Sequence, residues 1–188
     1  KEWPAFVPPP APTGAATKAT ITEWYIGRQD ACMIHDLELG LDGKVYAVDI
    51  QPEMLQELSR RCEQNDLKNV DMVLGLPHDP KLPDSPKQPG APEKTEGTLD
   101  LILMVDVYHE CDFPYEMTAG MVRALKPGGR LVLVEYRGEE RWIPIKPLHK
   151  LTEAQVRKEL GWHPLTFVTN YPGLPRQHIL VFSKNTAP

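Results

Sequence analysis

Most of the side chains that can do chemistry here lie in two short stretches, each directly after an apolar run. Asp106, Tyr108, His109 and Glu110 follow the run LDLILMV at 99–105. An imidazole among carboxylates can take up a proton near neutral pH, so Asp106 and His109 are candidate general bases. The same residue types serve equally well as hydrogen-bonding loop residues, and both roles stay open. Asp49 closes a second run, KVYAVDI at 44–50, with Ile50 beside it and Pro52 just beyond. A carboxylate in that place can accept both hydroxyl protons of a ribose, and it can also simply favour the positive end of a following helix. Glu135, Tyr136 and Arg137 leave a further apolar run. Lys146, His149, Arg176 and His178 could recognise an anion, although isolated loop cations are usually only solvated. Cys32, Cys62 and Cys111 form no CxxC pair and no metal-type spacing, so free thiols and no metal site are expected.

The elements that must hold these groups alternate in period. Residues 44–50, 69–74, 99–105 and 130–135 are short, mostly apolar runs that read as strands. The run at 99–105 lacks polar alternation, which predicts burial on both faces within a parallel sheet. Residues 52–65 read as a helix: Pro52 suits the first helical position, and Met54, Leu55, Leu58 and Cys62 share one face. A second helix is expected at 115–125, ended by Lys126-Pro127-Gly128-Gly129. A third is expected at 152–160, with Thr152 and Gln155 at capping-box spacing. Residues 165–170 and 178–183, joined through Pro172, Gly173 and Pro175, read as a terminal hairpin. Strands alternating with helices predict a doubly wound α/β sheet, whose ligands lie beyond the carboxyl ends of the strands. Asp49 and the 106–110 stretch both fall there.

Bulk composition narrows the partners. A chain of 188 residues suits one domain with a real core, and 41% hydrophobic with 25% charged residues suits a soluble globular body. The net charge of −5 supplies no basic footprint for phosphate backbones, which argues against nucleic acid as the main substrate and favours a small molecule or a protein. No apolar run has the length of a membrane span, and the first residues do not resemble a signal peptide. A cytoplasmic setting is the expectation, with a removed leader left open because the chain starts at Lys1. Residues 1–20, with Pro4, Pro8, Pro9, Pro10 and Pro12, are expected to form an extended tail. A single domain then covers 21–184, interrupted by a proline-rich surface insert at 83–97.

Several strings go further than periodicity. GKVYAVDIQPEML at 43–55, LDLILMVDVYHE at 99–110 and ALKPGGRLVLVEYR at 124–137 resemble the later motifs of class I S-adenosylmethionine-dependent methyltransferases. IPIKPLHKLTEAQV at 143–156 and LPRQHILVF at 174–182 resemble the C-terminal half of a bacterial group of small methyltransferase-domain proteins. The resemblance runs in order over about 41–184. It implies a Rossmann-like methyltransferase fold, a mostly parallel sheet with an antiparallel last strand. It also implies S-adenosylmethionine as cofactor, with Asp49 on its ribose, Ile50 beside the adenine edge, and Gly75 opening a loop in which Asp79 is the nearest acid to the adenine amine. Methyl transfer needs in-line positioning above all, and His109 or Asp106 could take the proton of a small-molecule or protein acceptor.

The family's first motif, D-x-G-x-G-x-G, falls on Gly27-Arg28-Gln29-Asp30-Ala31-Cys32-Met33, which retains one glycine. Gly27 and Asp30 are the residues left to meet the methionine half of the cofactor. Residues 35–39 then resume something like the family's first helix. Three explanations stay open: a divergent loop, a binding module that has lost its cofactor, and a sequence altered by a frameshift or misjoined exon. A nicotinamide-dependent oxidoreductase shares Asp49 and the alternating pattern, but it lacks its glycine fingerprint just as badly.

Overall fold

A computed structural model describes residues 18–21, 37–40, 43–83 and 97–186, the first two stretches by their backbone alone. The chain divides into two compact units, Lys1–Val45 and Tyr46–Pro188. In the first, β1 (Lys18–Ile21) and β2 (Leu37–Gly40) pair antiparallel, with Lys18 opposite Gly40 and Ile21 opposite Leu37. A strand therefore stands where the resemblance implies a helix. Leu37 and Leu39 alternate with Glu38, which is the period of two that a strand needs. β1 also takes in Lys18, Ala19 and Thr20, the end of the expected tail. Residues 1–17, Gly27, Asp30 and the insert at 84–96 lie outside the described residues.

Next, β3 (Val45–Asp49) and β4 (Val70–Leu74) form a two-stranded sheet, linked by α1 (Pro52–Gln64). Pro52 stands at the start of α1, where its missing N–H costs nothing. The buried stripe is narrower than expected: Leu55 and Cys62 are buried, while Met54 stays 38% exposed.

The third sheet has five strands: β5 (Leu99–Val105), β6 (Leu125–Arg137), β7 (Lys150–Leu151), β8 (Leu165–Tyr171) and β9 (Gln177–Lys184). Its order is β5-β6-β9-β8, with β7 also on β6. β5 and β7 run parallel to β6, β9 runs antiparallel to it, and β8 and β9 make the expected terminal hairpin. The mixed Rossmann-like sheet with an antiparallel last strand is thus present. α2 (Pro114–Ala124) and α3 (Glu153–Leu160) complete the unit. α3 starts where the capping spacing put it, with Thr152 Oγ1 accepting from the Gln155 amide at 3.1 Å. Met121, Leu125, Leu131, Leu133, Val156, Leu160, Leu180 and Phe182 are the most deeply buried residues of the core cluster. Fully burying each such side chain contributes about 1.5–3 kcal/mol.

Two expectations change in detail. β5 is apolar but for Asp100, yet Leu101 is 40% exposed, because β5 is the end strand of its sheet among the described residues. The KPGG segment is no separate turn. α2 passes straight into β6, and the pairing steps from Leu99–Leu125 to Leu101–Arg130, so two residues of β5 span five of β6. Gly128 at the crest of this bulge has φ +77°, a left-handed angle that glycine adopts freely.

Candidate functional site

The site begins where β5 stops. Asp106 takes φ 51°, a left-handed angle costing a non-glycine residue about 1–2 kcal/mol. The turn is tied down on two sides: the Asp106 amide donates to the Val134 carbonyl at 2.8 Å, and Asp106 Oδ2 accepts from Gln177 Nε2 at 2.6 Å. It swings the chain into a short 3₁₀ turn, Tyr108–Glu110, at the end of β6. Parallel pairing of Val105 with Val134 brings the next residue of β6, Glu135, to this corner. Glu135 is fully buried, and its carboxylate accepts from the Tyr108 amide at 2.8 Å and meets His109 Nδ1 at 2.6 Å. The His109 side chain is itself 5% exposed.

On its far side His109 meets His149. Pairing of β7 with β6 draws in the preceding 3₁₀ turn Pro147–His149, and His149 Nδ1 lies 3.0 Å from His109 Nε2 with the rings at 76°. Burial alone would lower the His109 imidazolium, but the hydrogen bond and charge of Glu135, helped by Glu110 and Asp106, outweigh it and raise the value. With Nδ1 donating its proton to Glu135, the neutral ring carries its lone pair on Nε2. That atom can accept a proton or bind a cation.

A cavity of about 300 Å³ opens beside this corner, lined by Tyr108, His109, Cys111, Leu148, Gln155 and Glu159 among others. The Tyr108 hydroxyl donates to Glu159 Oε2 at 3.1 Å, and burial followed by the Glu159 charge pushes the phenol upward. Burial, then the Glu135 charge, pushes the Cys111 thiol up to about 11.

The other sequence candidates gather at the end of β3. Asp49 Oδ1 accepts from the Gln51 amide at 2.8 Å, just before α1, and the Gly75 amide donates to the Asp49 carbonyl at 2.9 Å. Asp49 and Gly75 are therefore joined, and Ile50 is half exposed beside them. Asp79 faces elsewhere: its two oxygens take the Lys81 ammonium at 2.8 Å and the Lys81 amide at 2.9 Å, which hold its carboxyl low. Neither this group nor Gly75 lines the cavity at His109.

The anion-recognition set does not assemble. His178 is 1% exposed and directly opposite Glu135 in the β6–β9 pairing, so it is a core residue. Arg137 is spent on the hairpin turn, donating to the carbonyls of Leu174, Pro175 and Gln177 and pairing with Glu140. Arg176 contributes its backbone carbonyl to the Arg137 amide. Two partnerships escaped sequence reading, Glu135 with His109 and His149 with His109. The usable signal was that Asp106 follows one apolar run and Glu135 closes another, and the two strands pair in parallel. Together with Glu110, the two histidines offer ligand atoms that all lie within 4.8 Å of one another.

A family model described as a methyltransferase domain matches residues 29–170. No curated protein matches the chain. Among solved structures, a SAM-dependent methyltransferase from Aquifex aeolicus is 24% identical, with a TM-score of 0.66 over 78% of this chain and 71% of its own. A SAM-dependent methyltransferase from Methanosarcina mazei is 15% identical, with a TM-score of 0.56 over 77% of this chain and 83% of its own. The cyclase SpnF is 13% identical, with a TM-score of 0.60 over 77% of this chain and 67% of its own. At these identities the likeness is one of fold.

Proposed function

The chain belongs to the methyltransferase-domain family, and we propose that it transfers a methyl group from S-adenosylmethionine to a small-molecule or protein-borne acceptor. The cofactor supplies an electrophilic methyl group on its sulfonium. The observation that carries the reading is the junction of β3 and α1. There a carboxylate stands at a strand end, its own carbonyl tied to the Gly75 amide, inside the stretch that matches the family. The residues suit the nucleoside half: Asp49 accepts the ribose hydroxyls and the half-exposed Ile50 lies along the adenine edge. Gly75 keeps the loop close, since a Cβ there would come within 3.1 Å of Val48 Cγ1. Asp79 accepts the adenine amine once its carboxylate turns from Lys81.

On this reading the acceptor lies at the 106–110 corner. Asp106, already bonded to Gln177, shapes the corner, and His109 Nε2 is the atom that takes the acceptor's proton once His149 Nδ1 turns away from it. Glu135 orients that imidazole as a buried carboxylate does in other acid–base sites. Positioning supplies most of the rate. The proposed domain is 21–184, extended by Lys18–Thr20, which β1 takes from the expected tail. No helix among the described residues is long and apolar enough to cross a membrane.

Isothermal titration with S-adenosylhomocysteine tests the cofactor half. Wild-type chain should bind one equivalent, and Asp49→Ala should weaken binding by about tenfold or more, the value of one charge-assisted hydrogen bond. A folded wild-type chain that binds neither this compound nor S-adenosylmethionine would remove the proposal.

A further inference from the structure

We propose that His109, His149 and Glu110 form a binding site for one divalent first-row transition-metal ion of the zinc or ferrous type. The donor atoms are already gathered within 4.8 Å of one another, without any rearrangement of the backbone. The two imidazoles set the geometry. Nitrogens about 2.1 Å from an ion are about 3.0 Å apart at right angles and about 3.4 Å apart at zinc's tetrahedral angle, and His109 Nε2 stands 3.0 Å from His149 Nδ1, so a shift of a few tenths of an ångström serves either geometry. In the metal-free protein that gap is a hydrogen bond, with His149 Nδ1 donating to His109 Nε2. An ion replaces the shared proton, and His149 moves its proton to Nε2.

The surroundings are those of a metal-ligating histidine. Such a histidine almost always gives its other ring N–H to a carboxylate or carbonyl, which fixes the ring and raises its basicity. His109 Nδ1 has that partner in Glu135 at 2.6 Å, and both side chains are withdrawn from solvent at 5% and 0% exposure. Charge points the same way. Glu110 and Glu135 bring negative charge to the corner, while the adjacent cation, Lys150, directs its ammonium to the carbonyls of Glu140 and Ile143. Two imidazoles among three donors favour zinc, iron or a neighbouring ion over magnesium and calcium, which prefer oxygen. Both histidines come from short 3₁₀ turns held by β6, one by parallel pairing with β5 and the other through β7.

The site goes beyond methyl transfer and does not depend on it. The Nε2 lone pair that would take a proton in the metal-free chain is the one an ion occupies, so the two uses exclude each other at any moment. The ion binds at the edge of the roughly 300 Å³ cavity that His109 lines.

Titration of the chelator-treated full chain with Zn²⁺, and separately with Mg²⁺, tests the proposal without any cofactor present. One Zn²⁺ should bind per chain and Mg²⁺ should not compete. His149→Ala at a half-buried position and Glu110→Gln at an exposed one should each weaken Zn²⁺ binding about tenfold or more with unchanged circular dichroism. Glu135→Gln should weaken it roughly 10–100-fold through the imidazole it orients. Cys111→Ser should bind as wild type does. Absence of Zn²⁺ binding by the folded chain, or undiminished binding in His149→Ala and Glu110→Gln, overturns the assignment and leaves the methyl-transfer reading untouched.

Discussion

Replacing Glu135 by Gln isolates the one buried carboxylate on which the corner depends. The substitution keeps the volume, so no cavity forms, and the remaining carbonyl oxygen can still accept from the Tyr108 amide at 2.8 Å. The other end becomes an NH₂ group facing His109 Nδ1, which at present meets a carboxylate oxygen at 2.6 Å. Two donors then confront each other in a place with no solvent access. His109 escapes only by moving its proton to Nε2, which sets that proton against the His149 Nδ1–H, so His149 must change tautomer as well. Losing one hydrogen bond to a charged group costs about 1.5–3 kcal/mol. The midpoint of thermal unfolding should therefore drop by roughly 3–12 °C, at about 2–4 °C per kcal/mol for a chain of this size. Urea unfolding should show a lower midpoint at unchanged slope. A double-mutant cycle with His109→Ala separates the pair from its surroundings, and the coupling should exceed about 1 kcal/mol. Additive losses, or a Glu135→Gln chain as stable as wild type, would refute the claim that this pair holds the corner.

The remaining predictions concern titrating groups. With its thiol raised to about 11 from 9.0, Cys111 carries roughly 100-fold less thiolate at pH 8 than an ordinary cysteine, so alkylation in the folded chain should lag the urea-unfolded chain by at least that factor. His178 is shifted the other way, chiefly by burial, to below its ordinary 6.5. Between the folded value and 6.5 the unfolded chain binds the extra proton, so this residue's contribution to stability is full above about 6.5 and declines as pH falls from there to the folded value. Urea midpoints measured from pH 7.5 downward should fall accordingly, and His178→Gln should flatten that part of the profile. An unchanged slope in the variant would assign the acid sensitivity to other groups.

How much of this was legible in the sequence follows from how far apart the interacting residues are. The limits of β5, the start of α1 at Pro52 and the cap of α3 at Thr152 are local properties, written in runs of a few residues, and they emerged as read. So did the terminal hairpin, because two apolar runs around Pro172, Gly173 and Pro175 leave the chain little choice. Asp106 and His109 were visible for the same reason. Their partners were not. Glu135 lies 26 residues from His109 and His149 lies 40, and only the parallel registers of β5 and β7 on β6 bring them in. His178 looked like a rim cation because sequence alternation cannot tell which face of β9 is covered, and its own face is the buried one, where it stands beside Glu135. The exposure of Leu101 follows from a strand order that an apolar run does not state.

The bulge at Lys126–Gly129 has a consequence for how the chain tolerates changes of length. Side chains along β6 alternate in facing, and Leu131, Leu133 and Glu135 share the inward side. One residue gained or lost between Arg130 and Glu135 would turn the carboxylate outward and present its neighbour to His109. The crest upstream is different: Lys126, Pro127 and Gly128 are exposed, and a side chain at Gly128 would meet nothing within 4 Å. Extra length there is taken up in solvent before the pairing resumes at Arg130. The bulge thus acts as slack between α2 and the strand, and lets the helix end drift over generations while Glu135 stays beneath His109.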